Sequence, residues 1–331
     1  MKEPSPKWKV HENEHNSGLV PTIAVMLWLG WMGFLTYIIL YAAFFASTLQ
    51  RKIITGVLLT SLLLPPKFPG KIGISIGNWI MKTAARYFGL KVIIENEAAL
   101  KKIDENGKSA IFAKEPHDML PFTVMVFSEA LGYLPGKMRK TGCALVTSAI
   151  FKLPIIRQVY SWVGCKPVDK KTFRKRLANT EMVGFVPGGV QEVTMIDPKK
   201  KDELILYLRG RKGFIKLALE KGVPIVPVFA FGLDKSYSYF IPRGNFIVKL
   251  ARTIGFLPVV FTGRFGIPFF IPKAEQLTVV FGEPIDVPCE GENIKPESVD
   301  KYHALYLQKL EELFDRHKDA EGYGHRKLKI L

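Results

Sequence analysis

No charged side chain occurs in residues 19–46, and this constrains the fold more than any other feature of the chain. About 20 consecutive apolar residues suffice to cross the hydrocarbon core of a bilayer, so the run is long enough to span. It is too long for the apolar core of a secretory leader, its leading flank is weakly basic, and no small-residue cleavage site follows it. Arg51 and Lys52 interrupt it. A second apolar run, residues 53–64, stops at Pro65-Pro66; at about 1.5 Å per helical residue it reaches only about 18 Å, too short to span alone. Two arrangements stay open: a single span with the second run lying in the interface, or a hairpin that dips in and returns both ends to the cytosol. Arg51 and Lys52 would be costly at a deep hairpin tip, although long cationic side chains reach back toward headgroups. The chain therefore divides into a polar N-terminal tail at 1–18, a membrane anchor at 19–66 and a folded body at 67–331.

Charge narrows the partners. The formal net charge is +17, with 47 Lys and Arg against 30 Asp and Glu. Residues 1–66 carry five basic and three acidic side chains, which leaves +15 on residues 67–331. A body that basic, tethered behind an apolar anchor, suits anionic headgroups or an anionic substrate. No zinc finger, RNP signature or basic heptad region supports nucleic acid as a partner. Cys143, Cys165 and Cys289 stand far apart, an odd number with no paired spacing. That pattern implies neither a disulfide framework nor a metal site, and suits a reducing, cytosol-facing domain.

Strand-like and helix-like runs alternate through the body. Strands are expected at 91–94, 109–113, 144–147, 183–186, 204–208, 224–231 and 277–281. Helices are expected at 76–90, 122–131, 171–180, 213–221 and 298–317, the last with Tyr302, Tyr306, Leu310 and Leu313 on one face. This alternation indicates an α/β fold, a mostly parallel sheet flanked by helices. The phenylalanine-rich stretch 261–271 reads either as core or as a loop that touches lipid or lines an acyl pocket.

His117 is the candidate acid–base residue. It is the only histidine between His15 and His303, and imidazole alone among side chains both takes and gives a proton near neutral pH without a shifted pKa. It sits in Glu115-Pro-His-Asp-Met-Leu-Pro121. Pro116 ends regular pairing and holds Glu115 extended, so His117 emerges at the mouth of a strand, where α/β sheets place their sites. A second strand, Glu181-Met-Val-Gly-Phe-Val-Pro-Gly-Gly-Val-Gln-Glu192, stops at Pro187 and turns through Gly188 and Gly189. Adjacent glycines let backbone N–H groups approach a ligand or a developing oxyanion, and Glu192 either orients an imidazole or holds substrate. Arg209, Arg211 and Lys212 open a helix whose N–H groups and dipole suit phosphate. A further basic cluster, residues 169–176, reads as a charged helix face.

Taken together, Glu115–Pro121, Phe185–Glu192 and the run from Arg211 to Gly232 closely resemble the type-2 diacylglycerol acyltransferase family. The resemblance runs from about Ile23 to the C-terminus and is to the plant and algal branch, with Glu-Pro-His in place of the animal His-Pro-His. It departs from that branch at Asp118, where the family has Ser or Gly. Distantly related glycerophosphate acyltransferases place an aspartate five residues after the histidine; Phe122 stands there in this chain, so that relay does not carry over. The resemblance implies a glycerolipid acyltransferase-like fold at 67–331 and acyl transfer from acyl-CoA to diacylglycerol, forming triacylglycerol. In that reading His117 is the general base, Glu192 holds or stabilises the imidazole, and Glu115, Pro116 and Asp118 are motif residues with orienting roles. N–H groups at Gly188 and Gly189 face the oxyanion, and Arg209, Arg211 and Lys212 meet the CoA phosphates. Neither a metal nor a cofactor is implied, acyl-CoA being a co-substrate.

The implied partners are acyl-CoA, diacylglycerol and membrane lipid, with homo-oligomerisation open. The sequence Lys327-Leu-Lys-Ile-Leu331 resembles a dilysine retrieval signal, which together with the family implies the endoplasmic reticulum membrane with a cytosolic catalytic domain, and leaves the lipid-droplet surface open. Monoacylglycerol, a long-chain alcohol or a sterol are alternative acceptors, and a non-catalytic lipid-surface docking protein is the alternative class.

Overall fold

The computed structural model describes residues 8–189, 191–195, 202–240 and 259–331. Val190 of the second motif lies outside them. In chain order the first elements are β1 (Lys9–Glu12), α1 (Leu19–Leu29), α2 (Trp31–Phe44), α3 (Thr48–Leu63), α4 (Lys71–Tyr87), β2 (Lys91–Ile94), α5 (Glu97–Glu105) and β3 (Ile111–Glu115). Then come α6 (Met138–Thr141), β4 (Cys143–Val146), α7 (Ile156–Trp162), β5 (Lys166–Pro167), α8 (Lys170–Ala178), β6 (Val183–Phe185), α9 (Gln191–Met195) and β7 (Glu203–Leu206). The last are α10 (Gly213–Lys221), β8 (Ile225–Phe231), α11 (Leu233–Ser236), β9 (Ser238–Phe240), β10 (Val260–Thr262), β11 (Thr278–Phe281), α12 (Pro296–His317) and β12 (Lys327–Ile330).

Eight strands form one sheet in the order β1-β2-β11-β8-β3-β6-β4-β5. β8, β3, β6, β4 and β5 run parallel, as do β2 and β11. Only β1 against β2 and β11 against β8 are antiparallel. The sheet is thus mostly parallel, and the apolar run of β8, buried at all seven positions, is what a central strand covered on both faces requires.

Because strand side chains alternate faces, β3 feeds two cores. Phe112 packs with Trp28, Met81, Phe127 and Phe281 on the α1–α4 side. Ile111 and Ala113 pack with Phe214, Ile215, Tyr306 and Leu310 on the side of α10 and α12. The same alternation sends Glu115 toward α10 and α12 and Lys114 to the opposite face. The expected stripe on α12 is buried at Tyr306, Leu310 and Leu313, whereas Tyr302 is only partly covered.

Five local expectations change. The apolar run at 19–46 is not one straight helix: α1 and α2 meet at Gly30 and are bent by 70°. No single described helix is long and apolar enough to cross a membrane, although the bent pair together meets that length. α1 is part of the folded body, with Val25, Trp28 and Leu29 in the core beside α4, while α2 and α3 leave Ile39, Phe44, Leu49, Ile53 and Leu63 exposed. The polar tail contributes β1, an edge strand paired with β2. Residues 122–131 form a short 3-10 helix over Phe122–Phe127 and then turns, because this segment is buried between the sheet and α4 rather than amphipathic. β7 lies outside the main sheet and pairs with β12. Lys327 and Lys329 are therefore in a paired strand, and the Leu331 carbonyl accepts the N–H groups of Leu208 and Arg209. A retrieval receptor would have to detach that strand to read it.

The phenylalanine-rich stretch is mixed. Phe261, Phe270 and Ile271 are buried, while Phe265 and Ile267 are exposed. Phe270 meets Phe34 of α2 edge to face, and the Tyr37 hydroxyl donates to the Pro268 carbonyl.

Candidate functional site

The parallel register of β3 and β6 brings the two motifs together, since the loops after parallel neighbours leave the sheet at the same end. The Gly188 N–H donates to Glu115 Oε1 at 2.8 Å. The Glu192 carboxylate accepts the His117 backbone N–H at 2.6 Å and the Tyr207 N–H at 3.2 Å. A Cβ on Gly188 would lie 1.8 Å from Glu192 Oε1, so only glycine admits this approach. Gly189 is needed for a different reason, its φ of +67°.

Glu115 and Glu192 are both buried, and their carboxyls are close enough to perturb one another. Two carboxylates this close in a dry site cannot both be charged. Burial and then repulsion from Glu192 push the Glu115 carboxyl well above its usual range. Burial also raises Glu192, against the pull of the His117 and Tyr207 N–H groups. Of the two, Glu115 is the one more strongly pushed toward its protonated form. Glu115 Oε2 has no hydrogen-bond partner among the described residues.

The His117 ring is oriented by its own loop. Nδ1 lies 2.7 Å from the Asp118 backbone carbonyl. A carbonyl only accepts, so Nδ1 carries the hydrogen and Nε2 keeps its lone pair. Burial, and secondarily the nearby Lys114 ammonium, lower the imidazole to about 4. The ring is thus neutral at physiological pH, with Nε2 available as a proton acceptor. The other deep histidines are structural: His303 bonds the Leu208 carbonyl, and His317 bonds Glu95 and packs on Trp8.

Comparisons with known proteins identify the family. The model of the family described as Diacylglycerol acyltransferase matches residues 71–330. The chain belongs to the type-2 diacylglycerol acyltransferase family. Diacylglycerol O-acyltransferase 2 of Dictyostelium discoideum is 31% identical over 71% of this chain and 72% of its own length. Diacylglycerol O-acyltransferase 1 of Eremothecium gossypii is 37% identical over 57% of this chain, an alignment that spans 42% of that protein. Human Acyl-CoA wax alcohol acyltransferase 1 is 29% identical over 78% of this chain and 79% of its own length. A looser structural likeness, with TM-score 0.40 and 14% identity over 88% of this chain and 95% of the other, is to the LPA acyltransferase PlsC of Thermotoga maritima.

Two roles expected from the sequence take another form. Glu192 holds His117 through the backbone N–H rather than through the ring. Gly188 gives its N–H to Glu115, so of the glycine pair it is not the donor left for an oxyanion. Asp118 does not form a relay with the imidazole. Its carboxylate turns to the Met119 N–H at 2.5 Å, while its carbonyl holds the ring. Asp118 adopts φ 51°, a left-handed conformation that aspartate tolerates better than most residues. Burial raises its carboxyl to about 6. Phe122, five residues after His117, stacks on Phe88 in the core.

The three cations differ. Arg211 is turned to the glycine loop, donating to the Gly188 carbonyl at 3.3 Å and to Gln191, and lies over the Tyr207 ring. Lys212 pairs with Asp300 at 2.6 Å, and Arg209 is exposed; both line a shallow depression beside α12. Lys114 is the site residue that sequence reasoning missed. It is fully buried, donates to the Pro116 carbonyl at 2.7 Å, and is lowered to about 8 by burial. Its signal was present: a lysine directly continuing the apolar run of β3. Among the described residues no group of three or more His, Cys, Asp or Glu is arranged to hold a metal.

Proposed function

We infer that this chain is an acyl-CoA-dependent diacylglycerol O-acyltransferase in which His117 is the general base. The observation that carries the residue assignment is the Nδ1 contact to the Asp118 carbonyl, which leaves the Nε2 lone pair as acceptor. Nε2 takes the proton of the diacylglycerol hydroxyl as its oxygen attacks the thioester carbonyl. The tetrahedral oxyanion then collapses, the C–S bond breaks, and the CoA sulfur leaves with the proton from His117. The Gly189 N–H and the Lys114 ammonium supply positive potential to the developing oxyanion. Arg209 and Lys212 meet CoA phosphates, while Arg211 holds the glycine loop.

A neutral base with a lowered pKa suits a thioester, because the thiol is a good leaving group and no covalent enzyme intermediate is required. The exposed apolar side chains of α2 and α3 support attachment to the bilayer that holds diacylglycerol. An endoplasmic reticulum membrane location with the catalytic domain facing the cytosol, reaching to the lipid-droplet surface, accompanies this reading.

A long-chain alcohol is the second acceptor to consider, since a wax alcohol acyltransferase aligns over most of the chain. The test uses membranes from cells that lack neutral-lipid synthesis and express the wild-type chain or His117→Ala. Labelled oleoyl-CoA is supplied with diacylglycerol, monoacylglycerol or fatty alcohol in parallel. Triacylglycerol formed by the wild type, and reduced at least about 100-fold in the variant, is the expected result. Ester formed only from fatty alcohol would change the acceptor; no product from any acceptor would leave a non-catalytic docking protein.

A further inference from the structure

A cavity of about 440 Å³ opens away from the catalytic loops, within the range of small-molecule sites. It lies at the other end of the sheet. His117 and Gly188 follow the C-terminal ends of β3 and β6, whereas Glu181 and Cys143, which line the cavity, stand at the N-terminal ends of β6 and β4. None of residues 115–120 or 186–192 lines it.

Its apolar wall is built by close packing. Gly73 and Gly77 of α4 face Trp162. A Cβ on Gly73 would lie 2.4 Å from the indole Nε1, and one on Gly77 would lie 2.2 Å from the Trp162 carbonyl oxygen. This approach sets Trp162 beside Met81, Phe127 and Trp28 around the same space. Trp28 is only 2% exposed, and its indole N–H has no partner. Buried donors are almost always satisfied, so an unpaired one on a cavity wall points to an acceptor that arrives from outside the protein.

The polar side is cationic. Lys67, Lys140, Lys166 and Arg176 line the cavity against Glu129 and Glu181. Arg176 is already paired with Glu181. The three lysines have no ion pair among the described residues, and Glu129 is exposed. Burial, together with the neighbouring Lys67 and Arg176 charges, lowers the Lys166 ammonium, the behaviour of cations crowded without a counter-ion. Ile74 of α4 lines the cavity and is exposed, so the rim is partly apolar.

We propose that this cavity binds an anionic amphiphile, its carboxylate or phosphate headgroup at Lys67, Lys140 and Lys166, an oxygen of the amphiphile accepting the Trp28 N–H, and its hydrocarbon chain against Met81, Phe127 and Trp162. The site is separate from the acyl-transfer site and does not depend on which acceptor the enzyme uses. A free fatty acid and a single-chain phospholipid share the required chemistry and differ only in headgroup.

The test uses the full chain in detergent and a diazirine-bearing oleate, with crosslinked peptides mapped by mass spectrometry. Competitors are oleate, 1-oleoyl lysophosphatidate, oleyl alcohol and inorganic phosphate. Labelling is expected on the peptides holding Trp28, Met81 or Phe127. Oleate or lysophosphatidate should compete, the stronger one naming the headgroup, whereas oleyl alcohol and phosphate alone should not. Lys166→Glu and Asn78→Trp, the latter at the mouth on the outer face of α4, should each weaken labelling by about tenfold or more, and His117→Ala should leave it unchanged. If Lys166→Glu proves unfolded by circular dichroism, the exposed Lys140→Glu takes its place with the same expectation. Labelling that maps elsewhere, is competed equally by oleyl alcohol, persists in both cavity variants or disappears in His117→Ala would overturn the proposal.

Discussion

The Glu192 carboxylate accepts the backbone N–H of His117 at 2.6 Å, across 75 residues of chain. One side chain thereby fixes the loop of the first motif to the loop of the second, and Glu115 returns the contact through Gly188. His117 is held by its backbone on one side and by its ring on the other, so the direction of Nε2 is set by the fold itself.

Removing that link should cost stability as well as turnover. Glu192→Ala strands two buried N–H groups, those of His117 and Tyr207, at about 1–3 kcal/mol for each. Glu192→Gln keeps an acceptor oxygen and should lose less. Thermal unfolding and turnover measured on both variants check this. An Ala variant as stable as wild type would mean that the carboxylate does not hold the loops.

Asp118→Gly should keep turnover within about tenfold, below the range that a general base supplies. The carbonyl that holds Nδ1 belongs to the backbone and survives the substitution, and glycine adopts φ 51° freely. A loss of about 100-fold or more in kcat would instead assign the Asp118 carboxylate a part in catalysis.

His117 and Asp118 should give opposite slopes of stability against pH. His117 is lowered from 6.5 to about 4, so its contribution is present above 6.5 and is lost as pH falls toward 4. Asp118 is raised from 3.8 to about 6, so its contribution is present below 3.8 and is lost as pH rises through 6. The raised carboxyls of Glu115 and Glu192 act in the same direction as Asp118. Relative to the wild type, Asp118→Asn should therefore shift the slope of stability from pH 4 to 6.5 upward, and His117→Gln should shift it downward. Denaturant titrations at a series of pH values read both. The acid limb of kcat/KM should likewise lie near pH 4, not near 6.5.

The cations should separate in kinetics. Arg209→Ala and Lys212→Ala should raise KM for acyl-CoA with little change in kcat, increasingly so at low salt. Arg211→Ala should lower kcat as well, because Arg211 bonds the Gly188 carbonyl and so steadies the loop that meets Glu115 and Glu192. Equal effects of all three on KM alone would place Arg211 with the phosphate-binding group.

Much of the site was legible because its residues violate local expectation. A lone histidine after a proline and a glycine pair after a strand both stand out from the patterns around them. Lys114 was the same kind of signal, overlooked because a lysine is ordinarily on the surface. Glu115 was read only as a motif neighbour, since nothing local shows that it is buried beside a carboxylate from another loop. The shape of the apolar segment was left open for a related reason. Hydropathy reports that residues 19–46 leave water, but not whether they leave it for lipid or for the side of α4, and α1 chose the latter.

By itself the sequence determined the alternation of strands and helices, the family, and the residue types at the strand ends, because these depend on local periodicity, turn chemistry and motif. Only the tertiary structure decided which hydrogen bonds those residues make. Glu192 reaches a backbone N–H and not a ring, Asp118 holds the imidazole by its carbonyl, and the C-terminal lysines lie in a strand. The physical reason is that the parallel register of β3 and β6 sets the distances between loops far apart in the chain, and burial between them sets which groups can carry charge.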